Sequence, residues 1–503
     1  MMKNVKKSGN WLIFKVFMLI WVMLLSSFAI GKASNNTWNI IEHGGYNNGK
    51  ELNTTIIQKL IDTCSITGGG TVYFPPGDYL TGAIIIKSNV TIYLETNATI
   101  LGSKNIDDYL SIQPDFKALR TNQPTKQLIY AEKEKNIAIK GSGTIDGQGG
   151  SFEKKSWNDE GITRPHMLQF IECTNIVIEG ITMKNSGAWM QHYLACDYLT
   201  IRGIKVFNHC NYNNDMLDID GCRYVTVADC IGDTDDDALT FKSTSPRTCE
   251  NITVTNCVLS SHCNAIKMGT ESTGGFKNIT ISNCVVVPSS VESLFFGKRN
   301  GLAGIALEIV DGGEMDGIIV SNIRIKGTIA PIFLRLGNRA RPHTSGIPRP
   351  GIGSMQNIQI SNILATNAGT NGCAISGIPG HNIENVTLSN ISIQVKGEGK
   401  ADHKAGSVPE NEAEYPESNM FGTLPAYGFY TRHVNNIHFD NIQLSFNNTE
   451  ERPAMVFEEV NDLVLRGVYV ESEDNVDHSV LMKKVSDYTK SDGNIKIGVI
   501  SNE

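Results

Sequence analysis

Short runs of alternating apolar and polar residues recur along most of the chain. In Asn136–Ile139, Asn251–Val254 and Asn278–Ile281, a polar residue is followed by an apolar, a polar or small, and a second apolar residue. Five consecutive copies begin at nearly even intervals, at Asn175, Tyr198, Tyr224, Asn251 and Asn278. Alternation with a period of two predicts strands, and self-similarity at this spacing predicts a solenoid. We therefore expect an all-β fold whose short strands stack from coil to coil.

Two other repeat architectures do not fit this pattern. Leucine-rich repeats share the period but need LxxLxL units, which the chain lacks, and propeller blades are longer. A parallel β-helix fits, and we expect a single domain over residues 34–503. The asparagine at each turn is expected to hydrogen-bond the neighbouring backbone. Two polar stretches rich in turn-forming residues, 338–354 and 397–425, are interpreted as loop insertions.

One helix is predicted near the start of the solenoid. Asn53 is expected to cap it, and apolar residues at helical spacing continue to about Cys64. Such a helix covers the open end of a stacked sheet, which otherwise exposes a strand edge.

The segment 1–33 is typical of a secretory signal peptide. Lysines precede a nearly continuous apolar run, Trp11–Ile30, and small residues lie before Ser34. The alternative is an N-terminal membrane anchor, because the run is of marginal spanning length. We expect export to the periplasm or outside the cell, without membrane attachment after cleavage. Removing the segment's five lysines leaves 39 basic and 52 acidic residues, a net charge of −13 that argues against a nucleic-acid partner.

The eleven cysteines leave at least one thiol free, because their number is odd. Cys230, Cys257 and Cys284 recur at an even spacing of one coil. A stack of small buried residues explains this spacing as well as disulfides do. No CxxC pair or Cys/His spacing indicates zinc.

A ridge of polar residues is expected where Asp215, Asp237 and His262 each lie four positions before an inward apolar residue. The interval from Asp215 to Asp237 and that from Asp237 to His262 are each close to one coil, and Asp236 lies beside them. Asp236 and Asp237 cannot both face outward from one strand, so both must lie at the turn that enters it.

Three carboxylates and an imidazole on one ridge leave three interpretations open. Cleavage of a glycosidic bond needs one protonated and one ionised carboxyl group, which crowding of like charges supplies. A calcium-dependent lyase would also use an acidic cluster. The third interpretation is a solvated ladder of charges on a β-helix face. On the same exterior face, Asp220, Lys242 and Lys267 are expected to stack.

The motifs at this ridge resemble those of glycoside hydrolase family 28, the polygalacturonase and rhamnogalacturonase family. The matching segments are Asn213–Asp215, Asp235–Asp237 and Ser261–Cys263, together with Gly141–Gly149 and Arg164–His166. The resemblance covers nearly the whole chain after residue 34, including residues 415–433. It implies a right-handed parallel β-helix and an inverting hydrolase of pectic polysaccharides or oligosaccharides that needs no metal or other cofactor and is often monomeric.

The resemblance also assigns roles. Asp236 resembles the general acid, Asp215 and Asp237 resemble the pair that activates water, and His262 resembles the histidine that supports the acid. Open alternatives are a hydrolase of rhamnogalacturonan or of another pectic linkage, a calcium-dependent lyase and a non-catalytic carbohydrate-binding protein.

One family motif is missing. The Arg-Ile-Lys motif that binds the uronate carboxylate is replaced here by a segment with Ala306 and Glu308 at the cationic positions. The hypothesis is that Lys267 binds the substrate carboxylate and pairs with Glu308. Further candidates for this binding are the loop cations Arg299, Arg335 and Arg339. Four aromatic residues before the motif coils are interpreted as wall packing: Trp189, His192, Tyr193 and Tyr212.

Overall fold

Parallel strands wind into a right-handed β-helix in the computed structural model, which describes residues 36–153, 160–400 and 408–500. The predicted signal peptide, residues 1–33, lies outside the described residues. Strand β1 (Thr37–Asn39) precedes helix α1 (Thr54–Ile66). From Trp38 onward the described chain forms one compact unit. Neither α1 nor any other described helix is long and apolar enough to span a membrane.

Three columns of stacked strands form the walls of the solenoid. Column 1 begins with β2 (Gly70–Phe74), β5 (Val90–Leu94), β9 (Lys135–Gly141), β12 (Thr174–Glu179), β15 (Asp197–Arg202), β18 (Arg223–Ala228) and β21 (Cys249–Thr255). Column 2 begins with β3 (Gly77–Thr81), β6 (Ala98–Gly102), β10 (Thr144–Asp146), β13 (Thr182–Lys184), β16 (Lys205–Asn208), β19 (Ile231–Thr234) and β22 (Val258–Ser261).

Column 3 carries the residues singled out by the sequence. It contains β4 (Ile84–Ile85), β8 (Thr125–Glu132), β11 (His166–Ile171), β14 (Gln191–Leu194), β17 (Leu217–Asp220), β20 (Leu239–Ser243), β23 (Asn264–Ser272), β25 (Ala303–Ile309), β27 (Ala330–Leu336), β29 (Cys373–Ser376) and β34 (Ile497–Val499). The short strand β7 (Ser111–Ile112) pairs antiparallel with β8.

In the second half, single strands bend through more than one column. Columns 1 and 2 share β24 (Phe276–Val286), β26 (Glu314–Lys326), β28 (Ser354–Ala368) and β30 (Ile383–Val395). All three columns share β31 (Phe429–Phe446), β32 (Met455–Val470) and β33 (Val480–Gly493). Single-turn 3₁₀ helices lie at Ile106–Asp108, Leu119–Thr121 and Gly149–Ser151.

The core is made of alternate strand residues that stack in register. Ile176, Leu199, Val225, Ile252 and Ile279 are partners in successive coils of column 1, and all are buried. Each buried side chain of this size contributes about 1.5–3 kcal/mol. The repeat in the sequence is thus the repeat of one inward-facing position, as the alternation predicts.

Turn asparagines form ladders along the solenoid. Asn322, Asn362, Asn390 and Asn441 have φ between 52° and 57°, a region that asparagine tolerates better than most residues. The side-chain amides of Asn362, Asn390 and Asn441 each donate to the amide oxygen of the preceding asparagine in this series at 2.9–3.0 Å. The expected bond to the neighbouring backbone is therefore replaced by a side-chain bond between coils.

Helix α1 packs on the first coil through a face of four buried residues. These are Ile57, Leu60, Ile61 and Cys64. The capping helix is confirmed, although it extends to Ile66. Asn53 lies at the N-cap, but its side chain bonds to the backbone of Tyr46 and Leu80 and leaves the helix amides uncapped.

All eleven cysteines are described, and all are free thiols. Cys230, Cys257 and Cys284 stack at the edge of column 2, and each Sγ donates to the carbonyl of the second residue before it. Small buried thiols therefore account for their even spacing.

Candidate active site

Asp215, Asp236 and Asp237 lie in the turns that enter column 3. Asp215 precedes β17, and the other two precede β20, as expected from their spacing. The amide of Met216 donates to the carbonyl of Asp237 at 3.0 Å, and the amide of Ala238 donates to the carbonyl of Asn264 at 3.0 Å. These bonds between coils fix the turns against each other and align Asp215 with Asp237.

The third member of this column is Asn264, not His262. Phe241 pairs with Met268, so the position that corresponds to Asp237 in the next coil is Asn264. The expected alignment of His262 was therefore wrong, because it assumed a coil that is too short. The same slip makes the expected place of Lys267 in the stack wrong, because Lys267 pairs with Thr240. Asp220 pairs with Lys242 as expected.

Three donors surround the carboxylate of Asp237. The backbone and side-chain amides of Asn264 donate to Oδ1 at 3.1 and 2.8 Å. The ammonium group of Lys267 lies 3.0 Å from Oδ2. Both carboxylate oxygens of Asp237 are therefore held by donors of the next coil.

Asp236 and Asp215 are in the opposite situation. Burial and the neighbouring Asp237 raise the pKa of Asp236 to about 7, although the backbone amide of Asp237 donates to it at 2.9 Å. Burial, followed by the charges of Asp218 and Asp236, raises the pKa of Asp215 well above its usual range. Asp218 lies beneath them, and burial raises its pKa to about 8. The site thus places carboxyl groups of raised pKa beside Asp237, which receives donors from Asn264 and Lys267.

His262 lies behind these carboxyl groups. Its Nδ1 is 2.8 Å from Asp235, and its Nε2 is 3.0 Å from the carbonyl of Val291. Asp235 also accepts the amides of Phe295 and Phe296. Because both ring nitrogens have these partners, His262 fastens the segment 287–302 to the site rather than contacting Asp236 directly.

Lys267 is not among the residues that line the cavity. Its buried ammonium group lies between Asp237 and Glu417, 3.2 Å from the latter, outside the cavity described below. Glu308, its expected partner, is fully buried, and its carboxyl oxygens have no hydrogen-bond partner among the described residues. Lys267 already forms ion pairs with two carboxyl groups. Its position therefore favours a role in holding Asp237 rather than in binding a uronate.

The three arginines expected to bind substrate also lie outside the cavity. Arg299 is more than half exposed and pairs with Glu292 at 3.0 Å. Arg335 is a fully buried residue of β27, not of a loop as expected, and donates to the carbonyls of Gly377, Glu410 and Asn411. Burial lowers its pKa to about 10. Arg339 pairs with Asp311 at 2.6 Å. Each of the three therefore already has a partner within the protein.

A cavity of about 740 Å³ opens over column 3 in the part of the chain that is described. Its size lies within the ~300–1,000 Å³ typical of small-molecule sites. Asp215, Asp236 and Asp237 line it together with Glu417. Its cationic residues are Arg120, Lys242 and Arg341, and its aromatic residues are Trp189, Tyr212, Phe296 and Tyr415.

Comparison with known proteins decides the family. The model of glycosyl hydrolases family 28 matches residues 64–413, which includes the three aspartates of the site. The chain belongs to glycosyl hydrolase family 28. Family resemblance through the Asp215, Asp236–Asp237 and His262 segments is thereby confirmed.

Curated relatives of this family 28 chain match shorter segments. A probable polygalacturonase of Vitis vinifera is 29% identical over 41% of this chain and 44% of its own length. An exo-poly-alpha-D-galacturonosidase of Dickeya chrysanthemi is 34% identical over 30% of this chain and 26% of its own. The chain thus spans less than half the length of these two relatives.

Two solved structures share the fold of the family 28 chain. The exopolygalacturonase of Thermotoga maritima has a TM-score of 0.61 at 22% identity, over 72% of this chain and 87% of its own. The family 28 exopolygalacturonase of Yersinia enterocolitica has a TM-score of 0.60 at 19% identity, over 92% and 79%. Both support the right-handed parallel β-helix.

Several cavity residues of this family 28 member were missed by sequence reasoning. Trp189, His192 and Tyr212 line the cavity, whereas Tyr193 is buried in the core. Arg120 and Arg341 lie on loops without a recognisable motif. The position of Lys242 beside Asp220 was predicted and is confirmed by the register of β17 with β20, but its place in the cavity was not predicted.

Among the described residues, two groups of side chains have the composition of metal ligands. His209, Asp235 and His262 form one, and Asp236, Asp237 and Cys263 form the other. In the first, protein partners already engage the carboxylate of Asp235 and both nitrogens of His262. In the second, burial raises the pKa of the Cys263 thiol, which disfavours the thiolate that binds metals. Neither donor set is arranged for a cation.

Proposed function

We propose that this family 28 chain hydrolyses galacturonate linkages of pectic polysaccharides or oligosaccharides with inversion at the anomeric carbon. The observation that carries the proposal is the contrast between Asp236 and Asp237. Asp236 has a pKa raised to about 7, and Asp237 receives three donors, while both line one cavity. An inverting glycosidase needs one carboxyl group of each kind. The names of the two curated relatives support galacturonate as the substrate class.

In the proposed reaction, Asp236 donates its proton to the glycosidic oxygen as the bond from that oxygen to the anomeric carbon breaks. A water molecule attacks the anomeric carbon from the opposite face and gives a proton to Asp237. The donors from Asn264 and Lys267 hold Asp237 in place for this transfer. Asp215, which lies one coil away in register, is positioned to orient the water. Asp236 then regains a proton from solvent, and Asp237 releases one.

The proposal includes attack at a chain end rather than in the middle of the polymer. Segment 113–124 borders the cavity and is hydrogen-bonded to two distant segments of the chain. The amide of Leu119 donates to the carbonyl of Thr244 at 2.8 Å, and Asn122 donates to the carbonyl of His343 at 3.2 Å. Leu119, Arg120 and Asn122 are themselves cavity walls. A wall at this place supports a pocket for the terminal sugar.

Export belongs to the proposal as well. It rests on the basic start and the apolar run Trp11–Ile30, which lie outside the described residues. The monomeric state stays a prediction.

The test is incubation with galacturonate oligomers, rhamnogalacturonan fragments and neutral oligosaccharides. We expect new reducing ends from galacturonate oligomers, monomer as the first product, and a loss of about 10³-fold in Asp236→Asn. Cleavage of rhamnogalacturonan alone would move the assignment to that linkage. Unsaturated products would indicate a lyase, and binding without cleavage would indicate a carbohydrate-binding protein.

A further inference from the structure

Three cations of the cavity converge on one carboxylate. The Nη2 of Arg120 lies 2.6 Å from Glu271, and the Nη2 of Arg341 lies 3.3 Å from the same oxygen. The ammonium group of Lys242 lies 3.5 Å from the other oxygen of Glu271. Glu271 is buried, and its three partners all border the cavity. One carboxylate thus serves three cationic side chains.

The remaining carboxyl groups of this cluster are either shared between cations or have a raised pKa. Arg120 also pairs with Glu160, and Arg341 shares Asp311 with Arg339. Lys242 lies 3.4 Å from Asp218, whose burial raises its pKa to about 8. The Nε atoms of Arg120 and Arg341 are also buried without a hydrogen-bond partner in the described chain.

Trp189 holds two of these cations at the cavity wall. The guanidinium carbon of Arg120 lies 4.8 Å from the centre of the indole, and the ammonium group of Lys242 lies 4.7 Å from it. Such contacts are attractive and restrict where the charges point. Lys242 is also close enough to lower the pKa of Asp215 and Asp236. The cationic cluster therefore adjoins the carboxyl groups assigned to cleavage.

We propose that Arg120, Lys242 and Arg341 form the site that binds the carboxylate of a uronate unit next to the cleaved bond. The proposal rests on the proposed function and specifies which residues select the acidic sugar. Guanidinium groups pair with planar carboxylates through two parallel hydrogen bonds, and both arginines keep about a third of their side chain exposed. The cluster supplies the cations that Ala306 and Glu308 do not.

The experiment compares kcat and KM on a galacturonate oligomer and on its methyl ester, whose carboxyl groups are uncharged. We expect Arg120→Gln and Arg341→Gln to lower kcat/KM on the free acid about 10- to 100-fold, chiefly through KM. On the methyl ester, kcat/KM of both variants should stay within about twofold of the wild-type value. Arg341→Lys keeps the positive charge, so its kcat/KM on the free acid should lie between those of Arg341→Gln and the wild type. Arg299→Gln, which removes an exposed arginine outside the cavity, is the matched control and should behave as the wild type.

Two results would overturn the proposal. One is an unchanged preference for the free acid in both glutamine variants while their Tm equals that of the wild type. The other is an equal loss on acid and ester, which would indicate a structural role. If the wild type cleaves neither substrate, the proposed function fails, and calorimetric binding of galacturonate still tests the site. Binding that Arg341→Gln abolishes would then support it, and binding that this variant retains would refute it.

Discussion

Asp236 and Asp237 are adjacent in the chain but have opposite surroundings. The turn before β20 presents Asp237 to the donors of Asn264 and Lys267 and leaves Asp236 beside a negative charge. The hydroxyls of Thr234 and Ser261 hold the backbone carbonyl of Asp236 at 2.8 and 2.7 Å. The backbone of Asp236 is thus held by hydrogen bonds, and the carboxylate of Asp237 is held by donors and a cation. Together these contacts create the contrast between a proposed acid and a proposed base.

Lys267→Met should lower kcat about 10²-fold with little change in KM, because it removes the cation on Asp237 without altering the cavity wall. In the wild type, kcat/KM should fall above about pH 7 as Asp236 loses its proton. Since Lys267 lowers the pKa of Asp236, this basic limb should move to higher pH in the variant. Lys277→Met, at a partly exposed surface lysine, is the control for the pH–rate profiles. If the basic limb of the pH–rate profile does not move and kcat equals that of the wild type, Lys267 does not influence Asp236 and Asp237.

Glu308→Gln should stabilise the protein relative to wild type, increasingly as pH rises. Burial raises the pKa of Glu308 well above its usual range, so the folded state binds this proton more tightly than the unfolded chain. The protonated Glu308 makes its full contribution to the free energy of unfolding below the unfolded-state pKa of about 4.3. That contribution is lost as the pH rises toward the folded-state pKa. Tm measured across the pH range checks the trend, with Glu398→Gln as the surface control. A pH-independent difference in Tm would contradict it.

Strands of this solenoid follow from the alternation of apolar residues, but their register follows from turn lengths. The spacing of Asn251 and Asn278 predicted the columns because each turn asparagine has a positive φ and a fixed place in its coil. His262 was misaligned because the turn before β23 is longer than the assumed coil allows. The interval between Cys230 and Cys257 equals that between Asp237 and Asn264, so the sequence contained the correct period. Local periodicity thus predicts that a segment forms a strand. Which side chains contact each other is determined only by the pairing of strands between coils.

At the element scale, Asn362→Ala should destabilise the protein by about 2–3 kcal/mol. The change removes two amide bonds, to Asn322 and from Asn390, and places alanine at φ 55°. Asn362→Gly loses the same bonds but tolerates the backbone, so it should cost about 1 kcal/mol less. Urea denaturation of both variants measures the difference. Equal losses would mean that the left-handed conformation contributes nothing.

Across the whole molecule, an acidic protein concentrates a few cations where an acidic substrate would bind. The chain has 52 acidic and 44 basic residues, yet Arg120, Lys242 and Arg341 meet in one cavity. They come from a loop before β8, from β20 and from a loop after β27, so no short motif contains them. The fold and the catalytic motifs could be predicted from local patterns. The binding side of the site could not, because it is assembled from segments that lie far apart in the chain.

Stability of the whole solenoid should not depend on oxidation. Each described cysteine is a free thiol, and most are buried between coils. Excess dithiothreitol should leave Tm unchanged, and thiol titration in denaturant should count eleven per chain. A fall in Tm on reduction, together with fewer titratable thiols, would show that disulfides contribute to the fold.

The most direct test of the central claim is proton NMR of the first product released from a galacturonate oligomer, recorded before its anomers equilibrate. If Asp236 protonates the leaving oxygen while Asp237 activates water, the new reducing end appears with a configuration opposite to that of the cleaved linkage. In Asp236→Asn the same signal should form about 10³-fold more slowly. A product with retained configuration, or an Asp236→Asn variant as fast as the wild type, would contradict the account.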